Sequence, residues 1–375
     1  MDEDTRKRAA DLLHLRGQGL SKGDPVALPL VSSSMFHLPG DPDGAAAYGR
    51  IDNPTWEALE HSLSVLEAAP CIAFPSGMAA ISAALFATLK AGQTLLVPSD
   101  GYYVTRLLAD RFLSPLGIRV VERPTLGFSD GGFEGIDVVF MESPSNPGLD
   151  LCDIRAIATA VRSTGGVSIV DNTTMTPFGQ RPLDLGADVV VAADTKAPGG
   201  HSDVLMGHVA TRSVALQEAV LDWRKMSGSI PSPHAAWLLH RGLETLEVRF
   251  DRMCQSAQII AEALIDHPAV STIRYPGLTC DPSHELAKLQ MLRFGFLIGI
   301  VLDTKDSAEA FINGCRYFRP ATSFGGVHSS AERRARWGDD VPDGFVRLSI
   351  GCEPVDELLT DLLRSLDQQT PGLDG

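Results

Sequence analysis

Short, almost continuously apolar runs that alternate with stretches of helical spacing constrain this chain more than any other feature. CIAF (71–74) breaks at Pro75-Ser76-Gly77 and gives way to MAAISAALFATL, and TLLVPSD (94–100) leads into YVTRLLADRFLSPLG. IRVVERP, DVVFMESPSNP, GVSIVDNTT and ADVVVAADTK are further strand candidates, and LCDIRAIATAVRST carries helical spacing. Strands that are apolar on both faces and alternate with helices belong in a parallel sheet covered on both sides. The pattern predicts a doubly wound α/β domain over about residues 46–235. Beyond it, one long helical stretch ends near Pro268, and STIRYPG, FGFLIGIVLDT, SAEAFINGC and FVRLSIG mix strand and helix without regular alternation. That texture predicts a smaller α+β domain over about 236–375. Residues 1–45 lack sustained periodicity, contain the turn-rich LPGDPDGAAAYG and read as an arm. WEALEHSLSVLE follows as an amphipathic helix, with Trp56, Leu59, Leu63 and Leu66 on one face.

Composition narrows the function classes. A length of 375 residues suits two domains, and 44% hydrophobic with 21% charged residues is ordinary globular usage. Acids outnumber bases 47 to 32, a net charge of −15 that opposes non-specific attraction to nucleic acid or anionic membrane. No apolar run reaches the roughly 18 residues of a membrane span, and the charged start does not read as a secretory signal. The six cysteines stand far apart without a CxxC pair, as free thiols in a reducing compartment would. A cytoplasmic protein with no metal site is expected. No GxGxxG follows a strand, so a dinucleotide site is not indicated.

In an open parallel sheet, ligands bind beyond the carboxyl ends of the strands. Those ends here carry Ser76-Gly77-Met78 at a helix start, where backbone N–H groups can hold a phosphate. They also carry Tyr102, Asn146, Asp171 and Thr195-Lys196. Taken singly, each has an ordinary structural reading: a tight turn, a half-buried aromatic, a helix cap, a solvent-facing amine. In this order they assemble a phosphate cradle, an aromatic ring, an amide, a carboxylate and an amine.

This assembly resembles the Cys/Met-metabolism family of pyridoxal-phosphate (PLP) enzymes, which includes cystathionine γ-synthase, cystathionine γ- and β-lyases and methionine γ-lyase. The resemblance runs from about residue 48 to 363. Its motifs are Tyr48-Gly49-Arg50 with Asn53-Pro54-Thr55, Ser76-Gly77-Met78-Ala79-Ala80, Glu142-Ser143-Pro144-Ser145-Asn146-Pro147 and Val170-Asp171-Asn172-Thr173. They continue through Pro182-Leu183-Asp184-Leu185-Gly186-Ala187-Asp188, Thr195-Lys196 with Gly199-Gly200-His201-Ser202-Asp203, and Arg241-Gly242-Leu243 with Thr245-Leu246. Ser323-Phe324-Gly325-Gly326-Val327 and Val346-Arg347-Leu348-Ser349 close the series.

The resemblance implies the fold type I, aspartate aminotransferase-like α/β architecture: a mostly parallel central sheet plus a smaller α+β C-terminal domain. Lys196 matches the lysine that forms a Schiff base with the cofactor aldehyde, Asp171 the partner of the pyridine nitrogen, and Tyr102 the ring stacked on the pyridine. Asn146 matches the amide near the cofactor's 3-oxygen. Ser76, Gly77, Met78 and Thr195 match the phosphate site, which Tyr48 and Arg50 reach from the neighbouring subunit within a dimer; the family's habit is a tetramer of two such dimers. Arg347 and Ser323 match the residues that hold the substrate α-carboxylate. Tyr48 or Tyr102 would handle leaving-group protons.

Several positions depart from the family pattern. Ala193 stands where HSxTKY has a phosphate-binding serine, and in Tyr102-Tyr103-Val104-Thr105 the bulkier Tyr103 and Val104 replace the small residues of YGGT. His328 replaces the acid of GGVES, as a candidate proton donor or polar wall on the substrate side, and SSAERRARWGDDVPDG replaces the stretch that follows. The expected activity is γ-elimination or γ-replacement on an L-amino acid. The altered pocket keeps two alternatives open: loss of a non-thiol group such as halide from a γ-chloro unsaturated amino acid, giving an alkyne, and PLP binding without turnover.

Overall fold

In the computed structural model, which describes residues 2–369, seven strands form the larger sheet. They are β1 (Cys71–Phe74), β2 (Thr94–Pro98), β3 (Arg119–Arg123), β4 (Val138–Glu142), β5 (Val167–Asp171), β6 (Val189–Ala192) and β7 (Gly207–Thr211). Their spatial order is β1-β7-β6-β5-β4-β2-β3, with β3, β2, β4, β5 and β6 parallel and β7 antiparallel to both β6 and β1. The predicted parallel sheet is therefore present, with one antiparallel strand inserted. Side chains alternate across it as a pleat requires: Ile169 enters one apolar cluster and Val170, next in sequence, enters another on the opposite face.

The second sheet holds β8 (Thr272–Arg274), β9 (Leu297–Val301), β10 (Arg319–Pro320), β11 (Ser330–Arg333) and β12 (Phe345–Ser349) in the order β10-β11-β12-β9-β8. Its one parallel pairing is β10 with β11. Ile298, Ile300, Val346 and Leu348 pack there against Ala257, Ile260 and Leu264 of the helix Leu246–Leu264, and against Leu358 and Leu362 of the helix Val355–Asp367.

Two helical expectations change. The long helical stretch is two helices, Pro233–Leu243 and Leu246–Leu264, with Glu244 and Thr245 between them. The start of the chain carries a helix, Glu3–His14, capped by Asp2, whose carboxylate accepts the Thr5 N–H at 2.7 Å. Leu12 is buried, and Arg8 donates to the Leu66 carbonyl at 2.8 Å, so this first segment lies on the body of its own chain. Residue 1 and residues 370–375, at the outer ends of the expected arm and C-terminal domain, fall outside the described residues.

Candidate active site

The carboxyl ends of β1, β2, β4, β5 and β6 meet the second sheet around a cavity of about 310 Å³. Beyond β1, Ser76 caps the helix Gly77–Thr88, its Oγ accepting the Ala79 N–H at 3.1 Å. The Gly77 and Met78 N–H groups begin that helix and so have no acceptor within it. Gly77 is required for packing: a Cβ there would lie 2.5 Å from the Ala193 Cβ. The cradle thus rests directly on the turn that carries Lys196.

Beyond β2 and β4, a single buried carboxylate organises two loops. Glu142 accepts the Tyr102 N–H at 2.6 Å and the Asn146 N–H at 2.9 Å. Glu142 also pairs in register with Asp171 on β5. Burial, then the nearby Asp171 charge, holds the Glu142 carboxyl well above its ordinary value. Burial likewise raises Asp171, while the Thr173 hydrogen bonds and the Lys196 charge pull it down. Asp171 Oδ1 accepts the Thr173 N–H at 2.9 Å. Tyr102 lies at the mouth, 37% exposed, edge-on to Tyr103.

Lys196 follows β6. Its Nζ donates to Ser323 Oγ at 2.6 Å and sits 4.8 Å from the centre of the Phe324 ring. Burial, then the Arg347 charge, lowers its pKa to about 8. Ser323 itself has φ of +83°, a conformation that disfavours side chains, and strain of this kind gathers at functional sites. The Lys196 turn is tied down on both sides. Ala193 N–H donates to Thr173 Oγ1 at 2.8 Å, and Arg249 donates to the Ala197 carbonyl at 2.7 Å and the Pro198 carbonyl at 3.2 Å. The Thr195 hydroxyl, expected at the phosphate, borders the cavity but gives its proton to the Met206 carbonyl at 3.2 Å.

Arg347, at the centre of β12, is buried. Its guanidinium donates to Asn146 Oδ1, to the Ser323 carbonyl at 3.0 Å and to Glu332 Oε2 at 2.9 Å. Burial, then the Arg334 charge, lowers its pKa to about 10. Glu332 is a hub: it also accepts from Thr322, from Arg334 at 2.8 Å, Arg336 at 2.9 Å and Trp337 Nε1 at 2.7 Å. Burial alone would raise this carboxyl; the Thr322 and Trp337 hydrogen bonds, with Arg347 and Arg334, hold it at about 2 instead. Arg334 and Trp337 line the cavity, so the segment where the family pattern departs forms one of its walls.

Lys196, Tyr102, Asp171, Ser76, Gly77, Met78, Asn146, Thr195, Ser323 and Arg347 all border this cavity. Three expected residues do not. His328 lines an adjoining cavity that shares Lys196, Ser323 and Phe324 with the first. Tyr48 is 47% exposed, and Arg50 lies over its ring at 5.6 Å while donating to the Lys225 carbonyl at 2.6 Å. Sequence reasoning assigned no role to Glu142, Thr173, Arg249, Glu332, Arg334 or Trp337. Glu142 stood in a quoted motif, but its service to two loops depends on chain reversals that spacing does not reveal.

The donor set fits pyridoxal phosphate. A primary amine of lowered pKa, free helix-start N–H groups and a buried carboxyl with raised pKa border one cavity, with an aromatic ring at its mouth. The Asp171 carboxyl is anchored at the cavity wall by the Thr173 N–H, a placement that suits pairing with a protonated ring nitrogen.

Known proteins share the sequence and fold of this chain. The family described as Cys/Met metabolism PLP-dependent enzyme matches residues 12–367. A Streptomyces coelicolor protein named "Putative cystathionine gamma-lyase" is 47% identical over 93% of this chain and 91% of its own length. Cystathionine gamma-synthase of Mycobacterium bovis is 37% identical over 91% of this chain and 92% of its own. Among solved structures, metB from Corynebacterium glutamicum superposes with a TM-score of 0.93 at 34% identity, covering 98% of this chain and 100% of that one. Cystathionine gamma synthase from Xanthomonas oryzae pv. oryzae, in complex with cystathionine, gives 0.92 at 33% identity over 96% and 98%. The chain with Lys196 at the end of β6 and Arg347 across the cavity is a member of the Cys/Met-metabolism family of PLP-dependent enzymes.

Proposed function

We propose that this protein catalyses PLP-dependent γ-elimination or γ-replacement on an L-amino acid of the cystathionine type. The observation that carries the reading is the placement of Lys196 Nζ, which is 2.6 Å from Ser323 Oγ and shares one cavity with Asp171 and Arg347. Bound PLP supplies an electron sink that stabilises negative charge developing at the substrate Cα. Asp171 holds a proton on the ring nitrogen. Arg347 and Ser323 orient the substrate α-carboxylate, a task that suits a planar fork already braced by Glu332 and Asn146. Lys196 Nζ takes the Cα proton and, in γ-chemistry, moves a second proton from Cβ; a lowered pKa favours the neutral amine that this requires.

Ser76, Gly77, Met78 and Thr195 form the phosphate end, Asn146 the 3-oxygen side, and Tyr102 covers the ring and serves the departing group. Residues 46–235 act as the large PLP-binding domain and 236–375 as the small C-terminal domain, with residues 1–45 as an arm toward a neighbour. Tyr48 and Arg50 border no part of their own chain's cavity, which favours their use in a neighbouring subunit's site, within a cytoplasmic homotetramer of two dimers. His328 contributes from the adjoining cavity on the substrate side.

The test is a purified protein that gains a visible absorption band with PLP, is fixed to it by borohydride at Lys196, and either releases 2-oxo acid from cystathionine or joins an O-acyl-homoserine to an added thiol such as cysteine, with loss of the carboxylic acid. A protein that, incubated with PLP and freed of the excess by gel filtration, keeps no bound cofactor band would refute the reading. Release of halide alone, from γ-halo amino acids, would replace it with the non-thiol alternative.

A further inference from the structure

A second charged cluster lies buried beneath the cofactor cradle. His208, on β7, is paired in register with Ala73 of β1 and Ala192 of β6. Its Nδ1 lies 2.9 Å from Asp194 Oδ2, and its Nε2 lies 3.2 Å from Glu67 Oε1. All three residues are buried, at 4% exposure or less. Asp194 belongs to the Lys196 turn, and its carbonyl accepts the Gly199 N–H at 2.8 Å. Glu67 ends the helix Pro54–Glu67. One imidazole therefore joins a helix, a strand and the catalytic turn through two carboxylates.

A buried carboxylate is held at one place only when its hydrogen bonds are met there. Asp194 has neighbours on either side that touch the site. Ala193 abuts Gly77 of the cradle, and Thr195 is clasped to Met206, two residues before His208. Resting on the reading of Lys196 as the cofactor lysine, we propose that His208, clamped between Asp194 and Glu67, is a positioning residue that fixes the Lys196 turn against the sheet and so sets where the amine and the cradle stand relative to each other.

Other charged or titratable groups around His208 are Cys71 on β1 and, further off, Asp171 on β5. Burial works against a charged imidazole, but Asp194 and then Glu67 outweigh it and raise the His208 pKa to about 10. The clamp is thus in its doubly donating form throughout the neutral range, where both ring nitrogens carry protons.

The experiment compares Asp194→Ala with Asp194→Asn, since Asn keeps an oxygen to accept from Nδ1. Two readouts are taken on protein confirmed folded by circular dichroism. One is the pH midpoint of Lys196 acetylation by acetic anhydride in cofactor-free protein, followed by peptide mass spectrometry. The other is the PLP dissociation constant from quenching of tryptophan fluorescence. Asp194→Ala is expected to shift the acetylation midpoint by at least half a pH unit and to weaken PLP binding tenfold or more, and Asp194→Asn to restore most of both. Glu67→Gln, which frees the turn less directly, is expected to fall between them. A folded Asp194→Ala protein with an unchanged midpoint and unchanged PLP affinity would overturn the proposal, even if its melting temperature fell. Should wild-type protein bind no PLP, the proposed function fails, and the acetylation midpoint still decides the role of the clamp.

Discussion

Glu332 and Arg347 face each other across the antiparallel pair β11–β12, and Glu332 Oε2 accepts from Arg347 Nη2 at 2.9 Å. The guanidinium assigned to the substrate carboxylate is held by a carboxylate that is itself saturated by four other donors. Removing one member of a buried ion pair leaves the other uncompensated, at a cost of about 3–5 kcal/mol. Glu332→Ala should therefore lower stability by an amount near that range and raise KM for amino-acid substrates at least tenfold, with a smaller fall in kcat. Denaturant titration and steady-state kinetics check both. The same pair sets an acid limit. The Glu332 pKa is depressed to about 2, so its contribution is complete above the ordinary carboxylate value and disappears as pH falls through about 2. Glu332→Gln should be less sensitive than wild type to acid over that window.

The lowered Lys196 pKa makes a direct chemical prediction. In cofactor-free protein its acetylation should be half-maximal near pH 8, whereas an unperturbed lysine needs a pH near about 10.4. Burial is the larger cause and Arg347 the next, so Arg347→Gln should move the midpoint upward without restoring the ordinary value. Lys196→Ala should abolish turnover and borohydride fixation together.

Ala193 occupies the place of a phosphate-binding serine and borders the cavity, with its N–H already bonded to Thr173. Ala193→Ser should supply one hydrogen bond to a charged group, worth about 1.5–3 kcal/mol. PLP binding should tighten about tenfold or more, since about 1.4 kcal/mol is a factor of ten. Equilibrium dialysis measures it, and an unchanged affinity would mean that the new hydroxyl faces elsewhere.

His208 has the opposite pH signature from Glu332. Its pKa is raised to about 10, so its contribution to stability is complete below the unfolded value of about 6.5 and is lost as pH rises through about 10. The stability difference between wild type and Asp194→Asn should be largest at or below about pH 6.5 and shrink as pH rises toward about 10. Urea titrations of cofactor-free protein at several pH values would reveal it. A difference constant over that range would show that His208 does not titrate there.

How much of this was legible in the sequence depended on where the polar residues lay. The apolar strands β1, β2, β4, β5 and β6 could be read because burial on both faces leaves nearly unbroken hydrophobic runs, and the residues just beyond them followed as site candidates. Strands β7 and β11 escaped because each carries charged or titratable residues among its few positions. His208 is buried in β7, and Glu332 and Arg333 in β11, each matched by partners distant in sequence. Hydropathy counts such residues as solvent-facing, and only the three-dimensional pairing reverses that. The same reason hid the helix Glu3–His14, whose polar face is satisfied by Arg181, a residue 176 positions beyond Thr5. Tyr48 and Arg50 are a different case. Their motif pointed to the phosphate, yet within one chain they lie away from the cavity.

That separation leads to a test of subunit sharing. If Arg50 serves the site of a neighbouring chain, then Lys196→Ala and Arg50→Ala should each be inactive or nearly so as pure proteins. In a mixed dimer, one of the two sites takes Lys196 from the Arg50→Ala chain and Arg50 from the Lys196→Ala chain, and so is whole. Random reassembly of equal amounts makes half of the dimers mixed, each with one intact site, so recovered activity should approach about a quarter of wild type. The mixture is made by co-expression with distinct tags, isolated by tandem affinity purification and assayed for 2-oxo acid release; in a tetramer of two randomly formed dimers the doubly tagged fraction should reach about 0.3 of wild type, because only tetramers made wholly of one chain are removed. Mixed dimers as inactive as their parents would show that each chain completes its own site, and Tyr48 and Arg50 would then have to act where the structure places them, on the surface beside Lys225.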